Sequence, residues 1–233
     1  MVIHDFVLLR HTSVLVPNPV DSLWFLAVVT WVVAVMCMYG VLSCCTVACK
    51  HHPKNREQHK RDLMVLLYVN IAFAIIGGLG VRIERAFLYQ TLDGILLIPV
   101  FIAYLLVYTI LFQQAPPFTL SQKGTKAHWL FCIVCGVIVA LFFASLLFNA
   151  YYANILIAYG PVVGALILIH GLFMYGSEAN VHIHHWSYPI PFIFLSVFDS
   201  YSSFTIQIAA LAIHVHGVTL FGVEDVFRSS SSC

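Results

Sequence analysis

Long apolar runs separated by short polar stretches divide the chain. They cover 22–48, 63–81, 94–112, 128–149, 152–175, roughly 181–198, and 200–222. A helix needs about 20 apolar residues to cross the hydrocarbon core of a bilayer, so each run is read as one span. No repeat, low-complexity segment or soluble domain interrupts them. The longest connections are "KHHPKNREQHKRD" and "QQAPPFTLSQKGTKA". The pattern predicts an all-α polytopic membrane bundle of about seven spans. It has an N-terminal segment (1–21), one bundle domain (22–222) and a C-terminal tail (223–233).

Composition strengthens this reading. The chain is 61% hydrophobic and 9% charged, where a soluble domain carries about 25% charge. A formal net charge of +1 argues against nucleic acid as a partner; the partners expected are the lipid bilayer and other membrane subunits. His4, Asp5, Arg10 and His11 interrupt the first twenty residues, so no cleavable signal peptide is read there and the first apolar run is expected to stay as a signal anchor. Lys50, Lys54, Arg56, Lys60 and Arg61 crowd the loop after that run. By the positive-inside rule this loop faces inward, with the N-terminus outside and the C-terminus inside.

That topology gathers His128, His170, His182, His184, His185, His214 and His216 toward the inner face. The focus is "VHIHHWSYPIPF" at 181–192. From Ser187 to Phe198 a helix would measure about 18 Å against a core of about 30 Å. The sixth span must therefore draw on the histidines to cross. Proline favours the first helical turn, and the residue before it avoids the helical region. The helix is thus expected to begin near Pro189, with the histidines entering in extended form. There His182, His184 and Trp186 share one face, and His185 takes the other. On the seventh span, at 100° per residue, His214 aligns with Ser200, Ser203, Gln207 and Asp225, while His216 points elsewhere.

Three readings follow. In the first, His182, His184 and His214, with His185 and His170 in reserve, bind a transition metal such as zinc or iron. Glu178, Glu224 or Asp225 could add a carboxylate, and Ser203 and Gln207 polar support. With an open position such a site could be enzymatic. In the second, His170 and His214 hold a haem for electron transfer. In the third, the histidines and Trp186 anchor a re-entrant turn by hydrogen bonds. The protein is then a non-catalytic accessory or scaffold subunit of a larger membrane complex.

Other features are smaller. Cys37, Cys132 and Cys135 lie within apolar runs and read as buried helix-packing thiols. Cys44, Cys45 and Cys49, beside the basic "KHHPK", are candidates for palmitoylation. Arg82, Glu84 and Arg85 read as an outer-rim ion pair. Asn70 reads as an interhelical hydrogen bond, "GGLG" at 77–80 as a close-packing site, and "YGPVVG" at 159–164 as a break.

The residues His182, His184, His185, Trp186, Ser203, Gln207, Gly217, Gly222 and Asp225 also form a recognisable pattern. It resembles the C-terminal part of a group of eukaryotic multi-spanning membrane proteins with an H-x-H-H-[W/Y] motif. The resemblance covers about a fifth of the chain and implies an architecture, not a reaction. It implies that the motif and the polar stripe of the last span form one unit.

Overall fold

A computed structural model describes residues 14–15, 22–48, 54–76, 78–89, 92–112, 126–175 and 189–223. The described residues are helical apart from short connections and one isolated antiparallel bridge, Val14 to Phe198. The helices are α1 (Ser22–Ala48), α2 (Arg56–Ile76), α3 (Leu79–Tyr89), α4 (Leu92–Phe112), α5 (Lys126–Tyr152), α6 (Leu156–Tyr175), α7 (Ile190–Leu195) and α8 (Tyr201–Phe221). Within α1, Leu23–Cys45 is long and apolar enough to cross a membrane, and so is Tyr201–Leu220 within α8.

Helix α8 is the centre of the bundle and packs against α1, α2, α4, α5 and α7. Its sequence is apolar around most of its circumference, as a helix enclosed by others must be. The main core is built on Trp31, Phe73, Phe101, Ile208 and Leu211. The Trp31 indole meets the Phe101 ring edge-on at 5.0 Å and donates to Asn70 Oδ1 at 3.0 Å. Asn70 therefore makes the interhelical bond expected of it. A second cluster, including Leu146, Tyr159, Val163, Leu195 and Ile206, seats the α5–α6 hairpin against α7 and α8. The hairpin turns at Asn154, whose φ of 57° is one that Asn tolerates better than most residues.

Several boundaries differ from the expected ones, each for a local reason. Helix α2 starts well before residue 63 because Asn55 and Gln58 form a reciprocal capping box. Each side-chain oxygen accepts the other residue's backbone N–H at 2.8 Å, satisfying donors that a helix start leaves open. The second run then breaks at Gly78. Its φ of +70° suits glycine, and a Cβ there would lie 2.9 Å from Leu15 Cβ. Close packing at 77–80 is realised at Gly80, where a Cβ would come within 2.8 Å of the Ala74 carbonyl and 3.1 Å of the Trp24 indole nitrogen. Glycine at these two positions lets α3 lie against α1 and α2.

The "YGPVVG" segment is not a break. Helix α6 runs through Pro161, which lies early in the helix and removes one backbone bond. The sixth run also departs from a crossing helix. As expected, α7 begins directly after Pro189, but it holds 6 residues, about 9 Å. Ser196 closes it, its backbone N–H bonded to the Phe192 carbonyl, and leaves the helical region at φ −86°, ψ 52°. The chain then turns through 196–200 and enters α8 at its N-cap, Ser200, whose hydroxyl accepts the Ser203 N–H at 3.2 Å.

Candidate functional site

The expected site divides between described and undescribed residues. His182, His184, His185, Trp186, Glu178, Glu224 and Asp225 lie outside the described residues. So does Cys49, and so do the side chains of His128, His170, Arg85, Cys132 and Cys135; Cys37, expected as a buried packing thiol, is instead exposed on the outward face of α1. Among the described residues, no three His, Cys, Asp or Glu side chains form a group that could hold a metal.

On α8, His214 and His216 are both buried and point apart. His214 meets the Phe73 ring of α2 edge-on at 5.5 Å, and His216 meets Tyr108 of α4 at 5.1 Å. The divergence is the one the helical period predicts. Ser203 and Gln207, two members of the expected polar stripe, are buried and both face Arg82 of α3; Asp225 lies outside the described residues. Its principal partner was not foreseen.

That partner is Arg82. It is 3% exposed, not a rim residue. Its Nη2 donates to the Phe198 carbonyl at 2.6 Å and to Ser203 Oγ at 3.4 Å, and its Nε donates to Gln207 Oε1 at 3.0 Å. The guanidinium carbon lies 5.6 Å from the Phe204 ring centre, within cation–π range. Gln207 donates in turn to the Ile193 carbonyl at 3.3 Å, and Ser203 Oγ accepts the Phe198 N–H at 3.2 Å. The planar, multi-donor guanidinium thus gathers polar groups of the α7–α8 corner that no helix satisfies. The corner is also held from two other sides. Leu15 N–H donates to the Val197 carbonyl at 2.8 Å, and the Tyr159 hydroxyl to the Leu195 carbonyl at 2.7 Å. The local sequence hint was a charged pair, Arg82 and Glu84, on a short helix among apolar residues; both side chains are buried.

A second polar cluster lies at the opposite end of α8. Lys54 Nζ donates to Asp62 Oδ2 at 2.6 Å and to the Val218 carbonyl at 2.7 Å. Asp62, 1% exposed, accepts the Val223 N–H on Oδ1 at 2.8 Å. The Tyr39 hydroxyl lies 3.3 Å from Asp62 Oδ2 and 2.7 Å from His59 Nδ1. One hydroxyl proton cannot serve both, so when Tyr39 donates to Asp62, His59 donates to Tyr39. Burial pushes the Lys54 ammonium below its ordinary range, and its hydrogen bond and charge pairing with Asp62 oppose that shift. A cation here also suits the negative end of the α8 dipole. Gly222, at φ +75°, turns the chain so that Val223 reaches Asp62.

Both clusters therefore tie helix ends to backbone groups distant in sequence. Comparison of the chain with known protein families, curated proteins and solved structures gives no match.

Proposed function

We propose that this is a multi-pass membrane protein acting as a non-catalytic scaffold or accessory subunit of a larger membrane assembly. One observation carries the reading: Arg82, Lys54 and Asp62 direct their hydrogen bonds to backbone groups and side chains of neighbouring elements. Buried charges are expensive unless paired and hydrogen-bonded; here their bonds fix helix ends. The apolar exterior supports a membrane setting. Ile133, Val137, Leu141 and Ile157 of the α5–α6 hairpin and Phe25 and Val33 of α1 are all exposed, a surface suited to lipid tails or other subunits. In this arrangement the Lys54–Asp62 end faces inward and the Arg82 end outward.

The test is purification in mild detergent, followed by native-gel sizing, metal analysis and melting. The expected results are migration in an assembly larger than the single chain and a lower melting temperature for His214→Ala. Migration as a single chain, with stoichiometric metal that His214→Ala removes, would overturn the scaffold reading. Such a result would favour the metal reading, a histidine-lined zinc or iron site near the inner face. That reading is favoured by the full burial of His214 on the helix that follows the histidine-rich segment.

A further inference from the structure

The outward face of α1 ends in two thiols. Leu26, Val29, Val33, Cys37, Val41 and Cys44 are all exposed. At intervals of three or four residues they form one stripe along the helix. Cys45, adjacent to the stripe, is also exposed. The 2.7 Å contact between Tyr39 and His59 fixes the level of these thiols. It brings the last turns of α1 beside the first turn of α2, where Arg56, Glu57 and Lys60 are exposed. Cys44 lies about 7.5 Å beyond Tyr39 along the helix axis. On the membrane reading proposed above, both thiols stand at headgroup level, at the foot of an apolar stripe and beside a basic turn.

We infer that Cys44 and Cys45 are S-acylation sites, and that the attached chain lies along the exposed stripe of α1. The donor is a long-chain acyl-coenzyme A. The cysteine sulfur attacks the thioester carbonyl and a new carbon–sulfur bond forms. The bond to coenzyme A breaks, and coenzyme A leaves as the free thiol, taking the proton that the cysteine gives up. No oxidant or reductant is needed. The exposed cations of the adjacent turn suit the anionic phosphates of the donor. Cys37 lies on the same stripe but about 10 Å deeper, beyond the reach of a water-soluble donor.

The test is metabolic labelling of the full chain in eukaryotic cells with an alkyne fatty acid, read as hydroxylamine-sensitive label in the carbonate-resistant membrane fraction. The wild type and Cys37→Ser should label equally. The double variant Cys44→Ser/Cys45→Ser should lose the bulk of the label while staying carbonate-resistant. A resistant but unlabelled wild type overturns the inference and leaves the membrane reading standing. Full label on the double variant also overturns it, including label that disappears only with Cys49→Ser. Extraction of the wild type by carbonate sinks the membrane reading, and this inference with it.

Discussion

Replacing Arg82 with methionine should be among the most damaging single changes in the bundle. The side chain is 3% exposed. It donates to the Phe198 carbonyl at 2.6 Å and to the Gln207 side-chain oxygen at 3.0 Å. Methionine preserves much of the volume and removes both donors. A buried acceptor that loses its donor costs about 1–3 kcal/mol. Partner exchange within membrane bundles draws such values toward the low end, which leaves about 2–4 kcal/mol for the pair. In a chain of this size each kcal/mol moves the midpoint by about 2–4 °C, so Arg82→Met should melt about 5–15 °C below wild type by the same scaling. Arg82→Lys keeps the charge without the planar fork and should fall between. Arg82→Met/Gln207→Leu should cost less than the sum of the two single variants, because the Arg82–Gln207 bond is lost only once. The assay is size-exclusion chromatography after graded heating in detergent, with the exposed Arg56→Met as control. Wild-type melting by Arg82→Met, or equal losses for the lysine and methionine variants, would refute the assignment of Arg82 as the corner's fastener.

Other predictions follow from the opposite cluster and the glycines. Asp62→Ala removes both the charge facing Lys54 and the acceptor of the Val223 N–H and should destabilise by at least about 1–3 kcal/mol; proteolysis should also reach the C-terminal tail sooner, because Val223 is held by Asp62. Because the folded-state pKa of Lys54 lies below its usual value of 10.5, the unfolded state binds more protons between the two values. The stability of wild type relative to Lys54→Met should therefore rise as pH increases through that alkaline window, and a flat or falling difference in Tm would contradict the direction. Gly78→Ala should cost at least about 1–2 kcal/mol from its left-handed backbone alone. Gly136→Ala, where no atom lies within 4 Å of the new Cβ, should be neutral or stabilising by up to about 1 kcal/mol; paired melts of the two variants check this contrast.

The apolar runs made much of the helical layout legible. Helices α1 and α4 end where their runs end, and α7 begins directly after Pro189 because proline restricts both itself and its predecessor. The run at 63–81 misled for two reasons. The capping pair Asn55 and Gln58 was hidden in a charged stretch that read as loop, and apolarity continues through Gly78 although the backbone turns there. Arg82 was the larger miss. Arg82, with Glu84 and Arg85 beside a predicted loop, reads as a rim ion pair because charge usually marks the membrane edge. Its acceptors are 116, 121 and 125 residues away, and no local pattern can announce them. Ser203 and Gln207 were legible as a stripe because helical periodicity is local; what they bind is not. The histidine segment at 182–185 lies outside the described residues, so its expected convergence with His214 is carried forward by the metal analysis proposed above.

The distance between Arg82 and its acceptors also sets a timetable for biosynthesis. Gln207 is made 125 residues after Arg82. At about 5–20 residues per second, the arginine waits about 6–25 s before its partner exists. Lys54 waits longer, since Val218 follows it by 164 residues. On the membrane reading proposed above, the first helices enter the bilayer with both cations held at the water interface, and the bundle can close only when its last helix arrives. A ribosome that stops before α8 releases a chain in which Arg82 lacks Ser203 and Gln207 and Lys54 lacks the Val218 carbonyl. Such a chain should be cleared by membrane quality control, and pulse–chase of a chain ending at residue 199 should show a shorter half-life than the full-length protein.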